Sequence, residues 1–411
     1  MKGKQIFEGI RVLECAFAAA APITTTQLAM HGAMVIKVET HKRLDMLRVV
    51  PPFRGGKADI NRGAVFEALN SGKYSVSLDL GKPKARDIAM KLATWADIVL
   101  DGYTPGVMRR WGLDYESIKK RKPDIIYLST TQQGQYGPHA KFMGYGWQAA
   151  ALGGFYQLTG WPDRGPSQVW GAYTDFINPY HQSSVLMAAL LYRHRTGKGV
   201  YIDESQFECG LKFLRPYILD YTVNGRVATR TGNRCPHSAP HGVFRCQGED
   251  RWVAIAVFKD EEWSGFCSVI GKPEWREDPR FATFVARKRN EDELERLIEE
   301  WTMKHTSEDV MKMLQAAGVS AGAVETFEDM YEKDLQLRHR KAFPTVEHPE
   351  TGKQIHRAPS YQMSKTPPVL GPGPMLGEHN NYVLKKIVGL SDDEIADLLA
   401  EGCITTEADS A

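Results

Sequence analysis

Short apolar runs and amphipathic runs alternate along the first 130 residues, with glycines marking the joints. Residues 9–14 (GIRVLE) form a strand-type run, residues 24–31 a helical stretch, Gly32-Ala33 a turn, and residues 34–39 (MVIKVE) a second strand. Residues 74–78 then predict a strand, 84–95 an amphipathic helix, 97–100 a strand, 114–120 a short helix and 125–129 another strand. Strand, helix and strand in this order make βαβ units, which predict a parallel sheet with right-handed crossovers. The fold class is therefore α/β, with an open domain of Rossmann type. The first βα turn reads AFAAAAP and not G-x-G-x-x-G, so a nicotinamide or flavin fingerprint is absent.

The pattern is richest over residues 160–205. Asn178-Pro179 reads as a helix start, with Asn as cap and Pro at the first helical position. Residues 183–192 (SSVLMAALLY) are apolar nearly all round, which predicts a buried helix. Arg193, Arg195, Gly197 and Gly199 mark its end, and residues 200–203 a strand. This places Asp175 in a loop just ahead of the positive end of a helix. There a carboxylate stays ionised and serves either as a nucleophile or as a plain capping group.

After residue 206 the texture changes. Residues 211–223 predict a helix leading away, and 224–240 a polar stretch. Residues 242–246 and 252–257 predict two strands flanking a turn at 248–250, and helices follow at 260–270, 291–304 and 307–317. Residues 341–377 read as an extended, Pro-rich linker, 380–388 as a helix, and Ser391 to Glu394 as a capped helix start. The tail from Thr405 reads as frayed. The domain expectation is a large domain over 1–205, a linker over 206–240, and a small α+β domain over 241–330. A second linker over 331–378 then leads to C-terminal helices over 379–411 that return to the large domain.

Composition narrows the function. The 411 residues suggest two domains, and 52 basic against 50 acidic residues argue against a nucleic-acid partner. No run reaches the roughly 18 apolar residues of a membrane span, and no signal peptide is evident. The six cysteines are scattered without a C-x-x-C pair, so neither a disulfide framework nor a metal site is expected. Together these readings predict a cytoplasmic protein with free thiols.

The chain resembles the class III CoA-transferases, the formyl-CoA and carnitine CoA-transferase family. The similarity runs through GIRVLE…AAP…QLAMHGAMVIKVE, ALNSGKYSVSLDL, ADIVLDGYTPGVMRRWGLDYESI, KPDIIYLSTTQQGQYGP, the G-A-x-x-D and R-x-R-T-G-K-G motifs around Asp175, and PPVLGPGPMLGEHN. The resemblance implies a Rossmann-type large domain built from both chain ends with a small inserted domain. It also implies two chains interlocked as a homodimer, or as a hetero-oligomer with a homologous subunit. CoA is then a substrate, with no permanently bound cofactor.

By the same resemblance Asp175 is the nucleophile. Arg110 contacts the CoA phosphates, and Tyr103 and Thr104 border the nucleotide. Leu78 and Asp79 lie near adenine, Tyr145 lines the thioester pocket, and Ala19 and Ala20 form the first βα turn. Arg48 and His41 are further phosphate candidates, each open to a surface reading. The chain departs from the family at Gly146, where some members carry an acid, at Ala21 and at Thr40. In place of a Gly-rich covering loop it reads HSAPHGVF, which makes His237 or His241 a candidate near the acyl group. The segment APHGVFRCQGEDRWVAIAV resembles the branch acting on aryl-substituted acids such as benzylsuccinate, with succinyl-CoA as donor. Two alternatives stand beside transfer. One is a 2-methylacyl-CoA racemase of the same fold, for which His139 is the available base; the other is a non-catalytic CoA-binding subunit.

Overall fold

The computed structural model describes residues 5–405. The strands β1 (Arg11–Cys15), β2 (Met34–Glu39), β3 (Tyr74–Ser77), β4 (Ile98–Asp101), β5 (Ile126–Thr131) and β6 (Val200–Ser205) form one sheet in the order β3-β2-β1-β4-β5-β6. Every pairing in it is parallel. Its inner strands are buried on both sides because both faces are covered. Leu13, Ile36, Val76 and Val99 pack on one face against Ala85, Ile88 and Leu92 of the helix Pro83–Trp95, and against Val383, Leu384 and Leu398 near the C-terminus. Val12, Val35, Ile98 and Ile126 pack on the other against Leu28 of helix α1 (Ala20–Met30) and Leu186 of a long helix described below.

Two compact units divide the chain. The first comprises Met1–Phe155, Gln168–Arg226 and Arg338–Ala411; the second comprises Tyr156–Ser167 and Val227–Leu337. In the second, β7 (His241–Arg245), β8 (Trp252–Ala256) and β9 (Ser320–Ala323) form an antiparallel sheet. Phe244, Val253 and Ile255 of that sheet join Trp263, Phe266, Leu294, Ile298, Val310 and Leu314 in its core.

Several expectations needed correction. The strand β9, Ser-Ala-Gly-Ala, carries no strand signature; it is a strand because β8 pairs with it from Val253 to Ala256. The linker over 341–377 contains a hairpin, β10 (Thr345–His348) with β11 (Gly352–Ile355). The Ser391 capping box is present, with Glu394 accepting from the Ser391 N–H. Thr405 is buried and bonded to Ser77, and the rest of the tail reading, 406–411, lies outside the described residues. Among the described residues no helix is long and apolar enough to cross a membrane.

The central helix also differs from expectation. With helix α2 (Gly146–Leu152) ahead of it, α3 spans Tyr173–Thr196, so Asn178-Pro179 lies inside it and not at its start. Pro179 stands in the second turn, and having no N–H it leaves the Asp175 carbonyl without an i+4 donor. The helix is buried on one face only, since Val185, Leu191 and Tyr192 are exposed.

Candidate active site

In an open parallel sheet the loops beyond the strand carboxyl ends, above all where strand order reverses, are where ligands bind. Here the reversal falls between β1 and β4. Ala19 and Ala20 follow β1, Leu78 and Asp79 follow β3, and Tyr103 and Thr104 follow β4, so the topology brings these expected CoA-binding positions to one edge. The two switch-point loops touch. The Phe17 and Tyr103 rings stand 5.9 Å apart, and a Cβ on Gly102 would meet that of Ala16 at 3.1 Å.

Local anchors hold these loops. Ala18 has φ of 63°, a left-handed conformation that costs a non-glycine residue energy. Asp45 fixes it by accepting the Ala18 N–H at 3.1 Å, while pairing with Lys37 at 3.2 Å. Tyr103 is set by Asp101, whose Oδ1 accepts the Tyr103 N–H at 3.1 Å and whose Oδ2 accepts from Ser129 at 2.6 Å. Burial raises the Asp101 carboxyl to about 6, against those hydrogen bonds.

Asp175 sits in the first turn of α3, beyond the carboxyl ends of β5 and β6, and is only 8% exposed. Its Oδ2 accepts the N–H of Gly146, the first residue of α2, at 3.0 Å, and the Gln206 side chain bonds the same carboxylate. Thr174 ties the two helix starts together by donating to the Gly146 carbonyl at 3.2 Å. The carboxyl was expected to be held ionised by a helix end. Burial instead raises it to about 6, and the two hydrogen bonds only partly offset this. It is a carboxylate kept poorly solvated, held by hydrogen bonds and by no cation among the described residues, yet ionised at neutral pH.

Gly146, noted in the sequence as a departure, proves to be a steric requirement. A Cβ there would stand 2.8 Å from the Asp175 Oδ2 and 2.7 Å from the Ala172 carbonyl oxygen. Only glycine lets the amide reach the carboxylate. Neither Gly146 as donor nor Gln206 was picked out from sequence. The one available signal for Gln206 was its place directly after a parallel strand.

The remaining candidates divide. Tyr145 caps α2, its N–H donating to Gln148 at 2.9 Å, and its half-exposed ring flanks Gly146. Arg110 is exposed, and its guanidinium makes no ion pair with the described residues. Leu78 is buried, and the Asp79 N–H donates to the Cys403 carbonyl at 2.8 Å. Arg48 is not a phosphate ligand. It is 1% exposed, grips both Glu39 oxygens at 2.9 and 2.8 Å, and donates to the Pro374 carbonyl. Nor is it the surface residue of the other reading; it is an internal clamp. His41 is half-buried in the loop after β2. His241 and His237 belong to the second unit, where His241 Nδ1 lies 2.6 Å from the Asn233 carbonyl oxygen.

Comparison with known proteins identifies the family. The description of CoA-transferase family III matches residues 7–380, and the chain belongs to that family. It is a CoA-transferase that takes CoA thioesters as substrates. It is 31% identical over 398 residues to succinyl-CoA–D-citramalate CoA-transferase of Chloroflexus aurantiacus, covering 97% of this chain and 98% of that one. It is 32% identical over 389 residues to succinate–glutarate CoA-transferase of Agrobacterium fabrum, covering 93% and 96%. Among solved structures, a CAIB/BAIF family protein from Brucella suis superposes with a TM-score of 0.84 at 31% identity, covering 93% of this chain and all of that one.

Proposed function

We propose that Asp175 carries CoA covalently between a succinyl-CoA donor and an aryl-substituted dicarboxylate such as benzylsuccinate. The observation that supports the nucleophile is the Gly146 N–H on Oδ2, which orients the carboxylate for attack through Oδ1. Oδ1 adds to the donor thioester carbonyl, the C–S bond breaks, and an aspartyl–succinyl anhydride and CoA thiolate form. The thiolate then adds to the aspartyl carbonyl carbon; succinate leaves, and an aspartyl-CoA thioester remains. The acceptor carboxylate attacks that thioester and the two steps run in reverse, giving the new acyl-CoA and free Asp175. Each step exchanges one activated acyl bond for another, so no external energy source enters. The Gly146 N–H stabilises each aspartyl oxyanion in a site where water is scarce.

The donor follows the named activities of the relatives, one of which uses succinyl-CoA with citramalate and another succinate with glutarate. The aryl acceptor is supported by the aromatic side chains that flank the nucleophile in sequence. Tyr145 and Trp147 stand either side of Gly146, and Trp170 packs at 5.7 Å on Phe176, the neighbour of Asp175. Such rings suit an aryl group better than the small acids of those relatives. Exposed apolar side chains on α3 and on the helix Arg215–Asn224, among them Leu191, Tyr217, Leu219 and Tyr221, support assembly with a second identical or homologous chain. A racemase needs a histidine paired with the acid, and the hydrogen-bond partners of Asp175 are Gly146 and Gln206.

The test is transfer from succinyl-CoA to a panel of acceptors, read by chromatography of the acyl-CoA products. Benzylsuccinate should exceed glutarate, citramalate and mesaconate in kcat/KM. If a small dicarboxylate leads instead, the aryl assignment falls and the transferase chemistry stands.

A further inference from the structure

Helix α3 turns three polar side chains into the protein on one face: Asp175, Asn178 and Gln182. Gln182 is fully paired. Its Nε2 donates to Thr130 at 3.0 Å and to Glu204 at 2.6 Å, and its Oε1 accepts from Thr24 at 2.5 Å. Asn178 is just as deeply buried, at 0% exposure, yet neither its Nδ2 nor its Oδ1 has a partner among the described residues. An apolar side chain of the same size would avoid that desolvation penalty, so the amide works against the stability of its own position. Buried polar groups left unpaired in a resting protein are a mark of sites that complete their bonding only during reaction.

Asn178 follows Asp175 by three residues, a spacing that sets Cβ atoms about 5–6 Å apart on a helix. A carboxamide at that distance reaches an acyl or thioester group built onto Asp175. We propose that Asn178 is a catalytic residue, donating from Nδ2 to the aspartyl oxygen when it becomes negative; this rests on Asp175 being the nucleophile. As CoA thiolate adds to the aspartyl–succinyl anhydride, the S–C bond forms at the aspartyl carbonyl carbon and the π pair moves onto Oδ2. Collapse restores the carbonyl and breaks the bond to succinate, which leaves as the carboxylate. In the resting enzyme the Gly146 N–H holds Oδ2. Asn178 adds its bond only as charge develops, so it stabilises the transition state more than the ground state.

The test uses the full chain and two variants, Asn178→Leu and Asn178→Ala, with succinyl-CoA as donor. Rapid-quench intact-mass spectrometry gives the rate of aspartyl-CoA formation, and thermal unfolding gives stability. The leucine variant should unfold at the same or a higher temperature than wild type, while both variants form the adduct about 10²-fold more slowly, the usual effect of losing one oxyanion donor. The concentration of succinyl-CoA giving half-maximal rate should change little. Rates within about threefold of wild type would overturn the proposal. So would a Tm lower by several degrees in both variants, since that marks a paired, structural amide. Wild-type protein that forms no adduct removes the Asp175 reading itself, and this proposal with it.

Discussion

Asp175 and Glu14 are two buried carboxylates in the same unit, treated in opposite ways. Glu14 is fully enclosed at the end of β1, where burial pushes its carboxyl up but Lys37 at 2.8 Å and Lys73 at 2.7 Å outweigh it, holding it down to about 2. Asp175 has one backbone N–H and one amide side chain, and burial wins, to about 6. Burial alone therefore does not decide what a carboxylate does; the charge around it does. Glu14 is bound into a network that also takes in Thr25 and Asn70 and pins the first βαβ unit, whereas Asp175 is held by hydrogen bonds from Gly146 and Gln206 alone among the described residues.

This contrast fixes opposite signs for stability. Asp175 binds its proton more tightly in the fold than unfolded, so its cost to stability is absent below about pH 3.8, builds as pH rises and is complete above about 6; a shift from 3.8 to about 6 corresponds to about 3 kcal/mol. For Glu14 the folded pKa is depressed, so its contribution is complete above about pH 4.5 and is lost as pH falls through about 2.

The largest effect should come from Asp175→Asn. Steady-state assays should show transfer falling by at least about 10⁴-fold, while calorimetry at pH 7.5 shows the variant more stable than wild type, a gain that fades as pH drops from about 6 to about 4. Glu14→Gln should do the reverse. It leaves buried lysine charge uncompensated and should cost about 3–5 kcal/mol in denaturant unfolding at neutral pH. If both variants shift stability in the same direction, the contrast is wrong. Gly146→Ala keeps the carboxylate but forces it from the α2 amide, and a displacement near 1 Å should slow adduct formation about 10²-fold in stopped reactions. The smallest effect is on pH dependence. The single-turnover rate should climb with pH, about tenfold per unit, and level off above about 6, because only the ionised Asp175 attacks.

The sheet was legible in sequence because its inner strands are buried on both faces, which writes them as apolar runs such as Ile98 to Leu100 and Ile125 to Leu128. Asp175 stood out as the candidate nucleophile through its motif. Its setting was not: Asn178-Pro179 carries a helix-start signal, but packing of Thr174, Asp175 and Asn178 into the protein draws the helix back to Tyr173. The amide on Asp175 comes from a residue 29 positions earlier, a contact no local pattern records. Arg48 was misread for a related reason. A lone arginine in sequence shows its charge, and only the fold shows Glu39 waiting for it at the end of β2.

The most direct measurement is the mass of the intact protein after mixing with succinyl-CoA, followed by peptide mapping. The covalent mechanism predicts a gain of one CoA less one water, located on the peptide that holds Asp175 and absent from Asp175→Asn. An enzyme that turns over succinyl-CoA with no such adduct, or with CoA on another residue, would contradict it.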